Sequence, residues 1–140
     1  IEEFEKVCGK QTALCGLFID EDYSFLAATP DRLVIGEDSL VEVKCPFVGR
    51  ESKVQVGKMF PFLEEREGEI RLKRSHNYFF QIQGQMKITK RKQCYFVVYT
   101  FLDLHVEKID FDPEFFENNM LPRLLSFYEN HFINTIVDSL

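Results

Sequence analysis

The stretch Leu40-Val41-Glu42-Val43-Lys44-Cys45 is a run of strand-forming residues that carries two charges, and Pro46 ends it. Side chains along a β-strand alternate between the two faces of a sheet. We therefore predict that Glu42 and Lys44 share one face, whereas Val43 points into the opposite layer. The simpler alternative is a solvent-facing charge pair, which is common on strands.

A second carboxylate precedes this strand, because ten residues separate Pro30-Asp31 from Glu42. Two neighbouring carboxylates are costly unless a cation joins them, and Mg²⁺ suits such a site because it prefers oxygen ligands and keeps several waters. We predict that Asp31, Glu42 and the Val43 carbonyl bind Mg²⁺, with Mn²⁺ as an alternative. Lys44 beside the ion would orient an attacking water or neutralise charge on phosphorus, so the pattern indicates phosphodiester hydrolysis.

Hydrophobic patterning outward from this strand predicts a mixed α/β arrangement. The predicted helices are Ile1–Lys10, with Ile1, Phe4 and Val7 inward, His76–Lys90, and one capped by Asp112 that runs to about His131 with an interruption near Pro122. The predicted strands are Ala13–Ile19, Phe25–Thr29, Arg32–Ile35, Leu40–Cys45, Ile70–Lys73, Cys94–Phe101 and Leu104–Phe111. Phe47–Lys58 is predicted to be an exposed loop leading into a short helix beside Pro61, and Glu64–Glu69 a charged turn. This order predicts a mixed sheet covered by helices.

Length and composition indicate a single globular domain. The chain has 140 residues, 45% of them hydrophobic and 29% charged, which excludes wholesale disorder. It has no apolar run of the ~20 residues that a membrane span needs, and no secretory signal is visible. We expect an intracellular protein with reduced cysteines, located in the nucleus or in a viral or host replication compartment. An iron–sulfur site built from its four cysteines is the alternative that their spacing supports less.

Charge is distributed unevenly along the chain. The net charge is −6, but residues 66–92 carry eight basic and two acidic residues, a local charge of +6. A local basic segment on an acidic chain can still hold the phosphates of a nucleic acid. The alternative is a solvated charged face with no partner.

Three separate blocks resemble the PD-(D/E)xK nucleases, and specifically the YqaJ-type viral recombinases, which are relatives of the phage-type alkaline exonucleases. The blocks are Leu26-Ala27-Ala28-Thr29-Pro30-Asp31-Arg32-Leu33-Val34, Val41-Glu42-Val43-Lys44-Cys45-Pro46 and Tyr78-Phe79-Phe80-Gln81-Ile82-Gln83-Gly84-Gln85-Met86. The resemblance extends from about Cys15 to the strand at Cys94–Thr100. It implies a restriction-endonuclease-like fold, in which helices flank a central mixed β-sheet, and a metal-dependent DNA nuclease that is more often an exonuclease.

The resemblance also implies roles for individual residues. Asp31 and Glu42 would be metal ligands, Lys44 the catalytic lysine, and Gln81 a catalytic residue that contacts substrate near a phosphate. An amide suits that task because it donates to phosphate without repelling the metal. Basic residues around the glutamine helix would track the backbone of DNA, in particular linear duplex with an end. The predicted DNA-binding residues are Tyr78, Gln81, Gln85, Arg32, Lys73, Arg74, Lys87, Lys90 and Arg91.

Two departures from the family pattern leave alternatives open. Arg32 stands where the family has Gly, so it is either strained or in contact with phosphate. The family also places an acidic residue on a first helix, and neither Glu2, Glu3 nor Glu5 can be aligned with it. Because the chain opens on Ile1, we expect residues 1–140 to be one nuclease domain that lacks part of its N-terminal helical region. The alternatives are a weak or inactive DNA-binding derivative and a protein-interaction domain, and a homo-oligomer is compatible with each of them.

Overall fold

A computed structural model describes residues 2–14, 18–19, 27–28 and 31–127 of the chain. The helices are α1 (Glu2–Cys8), α2 (Asn77–Thr89), α3 (Pro113–Phe115) and α4 (Leu121–Phe127), with a π-helical turn at Phe116–Met120. The strands are β1 (Thr12–Ala13), β2 (Phe18–Ile19), β3 (Ala27–Ala28), β4 (Arg32–Val34), β5 (Ser39–Lys44), β6 (Leu63–Arg66), β7 (Glu69–Leu72), β8 (Gln93–Tyr99) and β9 (Leu104–Asp110). No helix in these ranges is long and apolar enough to cross a bilayer.

Five strands form the central sheet in the order β1-β4-β5-β8-β9. Strands β5 and β8 are parallel, and Ser39 to Lys44 pair with Gln93 to Val98. All other pairs in this sheet are antiparallel, so the predicted mixed sheet is confirmed. A parallel pair needs a long crossover, and residues 45–92 supply it with a hairpin and α2.

The two faces of the sheet carry separate apolar clusters, as strand alternation requires. On one face, Leu40 of β5 packs in a cluster with Phe96 of β8 and Ile82 of α2. On the other face, Val41 packs with Phe4 of α1, and Val43 packs against the same cluster. Glu42 therefore faces α2, and the predicted opposition of Val43 to Glu42 and Lys44 is confirmed.

Helix α2 has the boundaries that the sequence predicts. His76 is the N-cap, and its Nδ1 accepts a hydrogen bond from the Tyr78 N–H at 3.1 Å. Lys90 ends the helix in the left-handed conformation (φ 59°), and its N–H donates to the Met86 carbonyl. Between the caps, Phe79, Ile82 and Met86 are buried in the core.

The region before α2 differs from the prediction. Leu63–Arg66 is strand β6, whereas Glu64–Glu69 is predicted to be a charged turn, and it pairs with β7 as a separate two-stranded hairpin. Only Glu67 and Gly68 form the tip, with φ of 54° and 78°. The prediction failed because charged residues make up most of this segment and hide the strand pattern. The hairpin forms because its two short strands bury Leu63 and Leu72.

No helix forms beside Pro61, because turns and a bridge between Gly57 and Phe60 occupy that segment. Phe60 is fully buried and packs over Gly49 of the preceding loop. A Cβ at Gly49 would lie 2.6 Å from the tip of the Phe60 ring. Contact with the core, rather than helical periodicity, therefore fixes the path of this loop.

The N-terminal predictions are confirmed in part. Helix α1 buries Phe4 as expected, but Val7 is exposed, so the predicted inward face is wrong at that residue. The predicted strand Ala13–Ile19 is not continuous, because Leu14 lies outside any strand. Pairing of Phe18 with Ala28 agrees with the predicted hairpin, whereas its acidic tip lies outside the described residues.

The C-terminal helix begins as predicted, with Asp112 accepting a hydrogen bond from the Phe115 N–H at 3.0 Å and Pro113 in the first turn. A π-helical turn spans Phe116–Met120, and the α-helix restarts at Leu121, so the predicted interruption or restart near Pro122 is confirmed. The predicted end at about His131 lies outside the described residues.

Gln83 joins α2 to this C-terminal segment. Its side chain is fully buried, its amide donates to the Asp110 carbonyl at 3.0 Å, and its Oε1 accepts from the Asp112 N–H at 2.8 Å. We expect Gln83→Leu to lower the free energy of unfolding by about 1–3 kcal/mol, because two backbone groups lose their partner. Urea unfolding measures this change. The control Gln81→Leu alters an exposed glutamine of the same helix, and an equal loss in both variants would contradict the assignment.

Candidate active site

Asp31 is tied to β5 by two reciprocal hydrogen bonds. The Asp31 N–H donates to Oε1 of Glu42 at 3.1 Å, and the Val43 N–H donates to Oδ2 of Asp31 at 2.9 Å. Asp31 directly precedes β4, whose Arg32 pairs with Val41 of β5. Strand pairing therefore brings residues that stand eleven positions apart in the chain to one edge of the sheet.

Glu42 is a carboxylate in an unusually enclosed position, with only 3% of its surface exposed. Burial, together with the charge of Asp31, raises the pKa of Glu42 to about 7. The Asp31 N–H, the Lys44 ammonium and a hydrogen bond from Gln85 act in the opposite direction. The groups that stabilise the ionised carboxylate therefore do not fully offset the effect of burial on Glu42.

Lys44 lies at the end of β5 and contacts two side chains of α2. Its Nζ donates to Oε1 of Gln81 at 3.1 Å and sits 4.4 Å from the ring centre of Tyr78. Because the Gln81 oxygen already accepts from Lys44, the two amide N–H groups of Gln81 are the donors left for a further ligand. The arrangement presents an ammonium and an amide donor beside the carboxylate pair.

Gln85 lies one turn after Gln81 and faces Glu42 of β5. Its side chain is buried and hydrogen bonds to the Glu42 carboxyl, so its position does not support a direct contact with DNA. The Gln85 Oε1 is buried without a protein partner. Periodicity placed Gln85 on the correct helix face but could not show how deeply the facing strand covers it.

The carboxylate pair fits a divalent cation that prefers oxygen ligands. Two adjacent carboxylates, a raised Glu42 pKa and an orphaned buried oxygen on Gln85 all favour added positive charge and a polar ligand at this point. The described residues include no group of three His, Cys, Asp or Glu side chains able to hold a metal. This donor set suits an ion that keeps several of its waters.

The acidic residues of α1 do not complete the pair. Phe4 packs α1 on the sheet face opposite α2, and Oε2 of Glu5 accepts from the Thr12 N–H at 3.2 Å. Glu2 and Glu3 are exposed. Helix α1 thus stands on the far side of the sheet from Glu42 and Lys44.

Arg32 is an ordinary strand residue. It lies in β4 opposite Val41, and it is not among the described residues with positive φ. The strain considered for an Arg at a family glycine position therefore does not arise. Pro30, which precedes Asp31 in the motif, lies outside the described residues.

The basic residues predicted to bind DNA have different neighbours in the structure. Lys73 lies near the site, since it and Lys44 both act on the pKa of His76, which burial lowers. Arg91 instead pairs with Asp38 at 3.7 Å, just before the start of β5. Lys44 stands six positions after Asp38, at the opposite end of β5, which corresponds to roughly 20 Å of extended strand between their Cα atoms.

The other predicted contacts lie before, within and after α2. Arg74 approaches the ring of Phe79 at 5.8 Å, and Lys87 approaches that of Phe116 at 5.9 Å. Lys90 is the C-cap of the helix. Lys87 stands six residues and Lys90 nine residues after Gln81, so neither has the three- or four-residue spacing that makes two side chains neighbours on a helix.

The fold is similar to that of a known exonuclease structure. The mixed sheet with helices on both faces is a restriction-endonuclease-like fold, shared with an alkaline exonuclease (LHK-Exo) from Laribacter hongkongensis. That structure is 20% identical, with a TM-score of 0.68 over 99% of this chain and 67% of the other. The same enzyme in complex with dAMP gives a TM-score of 0.62 at 20% identity, over 99% and 69% of the two chains.

Sequence comparison defines the family. Residues 1–92 match the YqaJ-like viral recombinase domain, and the chain belongs to that family. No curated protein is significantly similar in sequence. The matched residues include Asp31, Glu42, Lys44 and Gln81, and the roles of these four residues stay predictions.

Glu42→Gln should change the stability of the protein in a pH-dependent way. The folded-state pKa of Glu42 is raised, so its contribution to stability is present below about pH 4.5 and is lost as pH rises through about 7. In EDTA, Glu42→Gln should be more stable than the wild type at pH 8.5 by up to about 3 kcal/mol, and much less so at pH 5. Thermal unfolding at both pH values measures the difference. The exposed Glu51→Gln variant controls for the lost charge, and a stability gain independent of pH would refute the burial argument.

Gln85→Leu should raise the pKa of Glu42 further, because the carboxylate loses a hydrogen-bond donor. NMR titration of a protein labelled at the glutamate carboxyl carbon, in metal-free buffer, measures this pKa directly. Gln81→Leu is the matched control, since Gln81 contacts Lys44. An unchanged Glu42 pKa in Gln85→Leu would show that the contact does not hold the carboxylate.

Proposed function

We propose that this protein is a Mg²⁺-dependent deoxyribonuclease, with Mn²⁺ as an alternative ion, that acts as an exonuclease on linear DNA. The observation that carries the proposal is the hydrogen-bonded pair Asp31 and Glu42 beside the Lys44–Gln81 contact. Membership of the YqaJ-like family and the fold shared with an alkaline exonuclease support it. The dAMP complex of that exonuclease supports a nucleotide ligand.

Each group at the site has a chemical task in this proposal. Asp31, Glu42 and the Val43 carbonyl would hold the cation, which when bound stabilises the attacking and leaving oxygens on phosphorus. Lys44 places an ammonium where negative charge develops during hydrolysis. Gln81 donates its amide N–H groups to a phosphate oxygen and so positions the scissile bond.

Gln85 supports this chemistry through Glu42. Its hydrogen bond favours the ionised carboxylate, which is the form that binds a cation. Tyr78 keeps the Lys44 ammonium at the site through its ring face, a contact that leaves the charge available. The ligands thus come from strands, whereas the groups that orient them come from one helix.

A second candidate is a DNA-binding domain with weak or no catalysis. It is favoured by one observation, namely that the described residues supply two carboxylates and no third acidic ligand at the site. In that case Lys44, Gln81 and Lys73 would hold phosphates, and affinity would fall as salt rises. A protein-interaction domain is the remaining alternative, with a homo-oligomer as its simplest form.

We further propose an intracellular role in recombination or in the processing of mobile elements, in the nucleus or in a viral or host replication compartment. The family to which the chain belongs supports the recombination role. Fluorescence microscopy of the tagged protein tests the location.

The nuclease proposal is tested on DNA labelled at the 5′ or the 3′ end, with Mg²⁺ or with EDTA. Linear duplex should be degraded from an end with Mg²⁺, whereas covalently closed circles should persist. Asp31→Asn, Glu42→Gln and Lys44→Ala should each reduce the rate by more than about 100-fold, because each removes several kcal/mol of transition-state stabilisation.

Matched variants separate catalysis from folding. Glu107→Gln alters a second buried carboxylate, which accepts from the Leu72 N–H at 2.7 Å and lies two strands from Glu42, on β9. Lys6→Ala removes an exposed lysine of α1, on the opposite face of the sheet. Both should retain cleavage. Binding without cleavage would select the second candidate, and the absence of both would leave the interaction domain.

A further inference from the structure

Four large apolar side chains are exposed at the edge of the sheet that carries the site. They form what we call the apolar tip, which consists of Phe47, Val48, Phe101 and Leu102, between 62% and 73% exposed. Phe47 and Phe101 follow β5 and β8, and each stands three residues beyond the last strand pair, Lys44 with Val98. Because β5 and β8 are parallel, their two loops leave the sheet side by side.

The backbone beneath the apolar tip is firmly anchored. The Phe101 N–H donates to the Arg50 carbonyl at 2.8 Å, which joins the two loops directly. The Val54 N–H donates to Oδ2 of Asp103 at 2.9 Å, and buried Gly49 packs under Phe60. The exposed rings are therefore carried by loops that the core holds in place, a preorganised surface for a ligand.

Charge beside the apolar tip favours a nucleic acid as its occupant. The Arg50 guanidinium lies 3.8 Å from the ring centre of Phe47. The loop from residue 45 to 58 carries Arg50, Lys53 and Lys58 against Glu51, a net charge of 3 − 1 = +2. Aromatic rings and guanidinium planes stack on nucleobases, while the positive charge attracts phosphates.

Distance limits which nucleotides can reach this surface. Three residues separate Lys44 from Phe47, so their Cα atoms are at most about 11 Å apart. One strand of DNA advances about 3.4 Å per stacked nucleotide, so the apolar tip lies within roughly three nucleotides of a phosphate at Lys44. Inside a duplex both faces of a paired base are covered by its neighbours, so a blunt end offers only the outer face of its last base pair, whereas an overhang offers the faces of several unpaired bases.

We propose that the apolar tip stacks on unpaired bases within about three nucleotides of the scissile phosphate, so that the protein prefers DNA ends with a short single-stranded overhang. This inference rests on the proposed function, because DNA must occupy the neighbouring site. In this proposal Phe47 and Phe101 bind the bases of the overhang. The carboxylate pair and the glutamine helix give these two exposed rings no role.

Fluorescence anisotropy in EDTA tests the proposal without cleavage. The probes are a blunt duplex, duplexes with three-nucleotide 5′ or 3′ overhangs, and the same overhangs built from abasic nucleotides. The wild type should bind one of the base-containing overhangs on the order of tenfold more tightly than the abasic equivalent or the blunt end. Phe47→Ser/Phe101→Ser should lose that preference and keep the affinity for blunt DNA.

The control Val7→Ser/Ile35→Ser removes two other exposed apolar side chains and should retain the preference. Equal binding of abasic and base-containing overhangs by the wild type overturns the inference even if the serine variant fails to fold. If the serine variant instead dissociates a dimer in sedimentation and keeps the preference, the apolar tip is a self-association surface and the inference fails. If either result overturns the inference but the wild type still cleaves DNA with Mg²⁺, the proposed function stands. If the wild type binds none of the DNA probes, the inference and the proposed function both fail.

Discussion

The site depends on the strand pairing that brings Asp31 against β5. The Asp31 N–H binds the Glu42 carboxyl, and the Asp31 carboxyl binds the Val43 N–H, so backbone and side chain exchange partners across the two strands. This exchange fixes the separation of two like charges that would otherwise move apart. A shift of one residue in the β4–β5 register would send Glu42 to the opposite face of the sheet.

The same constraint explains why one helix supplies the remaining groups. Glu42 and Lys44 face α2, and successive turns of that helix bring Gln85 to the first and Gln81 to the second. The core side of the helix packs Ile82 and its neighbours on the sheet, which sets the height of the polar face above β5. The apolar packing and the polar contacts therefore depend on the same position of α2 on the sheet, and a shift of the helix would disturb both.

Sequence predicted the parts of this structure that local pattern determines. Alternation in β5 placed Glu42 and Lys44 on one face of the strand, and 3.6-residue periodicity in α2 placed Gln81 and Gln85 on one face of the helix. The family resemblance, rather than either pattern, implied that these two faces belong to one site. Tertiary contact decided what pattern could not show. The burial of Gln85 depends on the strand opposite it, and the position of Arg91 depends on which end of β5 the chain reaches after α2.

The start of α2, which positions Tyr78 and Gln81, depends on the protonation state of its N-cap residue, His76. His76 accepts from the Tyr78 N–H through Nδ1, which only the neutral imidazole can do. Burial and the nearby charges of Lys73 and Lys44 lower the pKa of His76, so the neutral form is retained on modest acidification. Once the ring is protonated, the first turn that carries Tyr78 loses its terminal acceptor, and fraying would begin one turn away from Gln81. Acid sensitivity is thus built into the helix that aligns the reactive groups, independently of the carboxylates themselves.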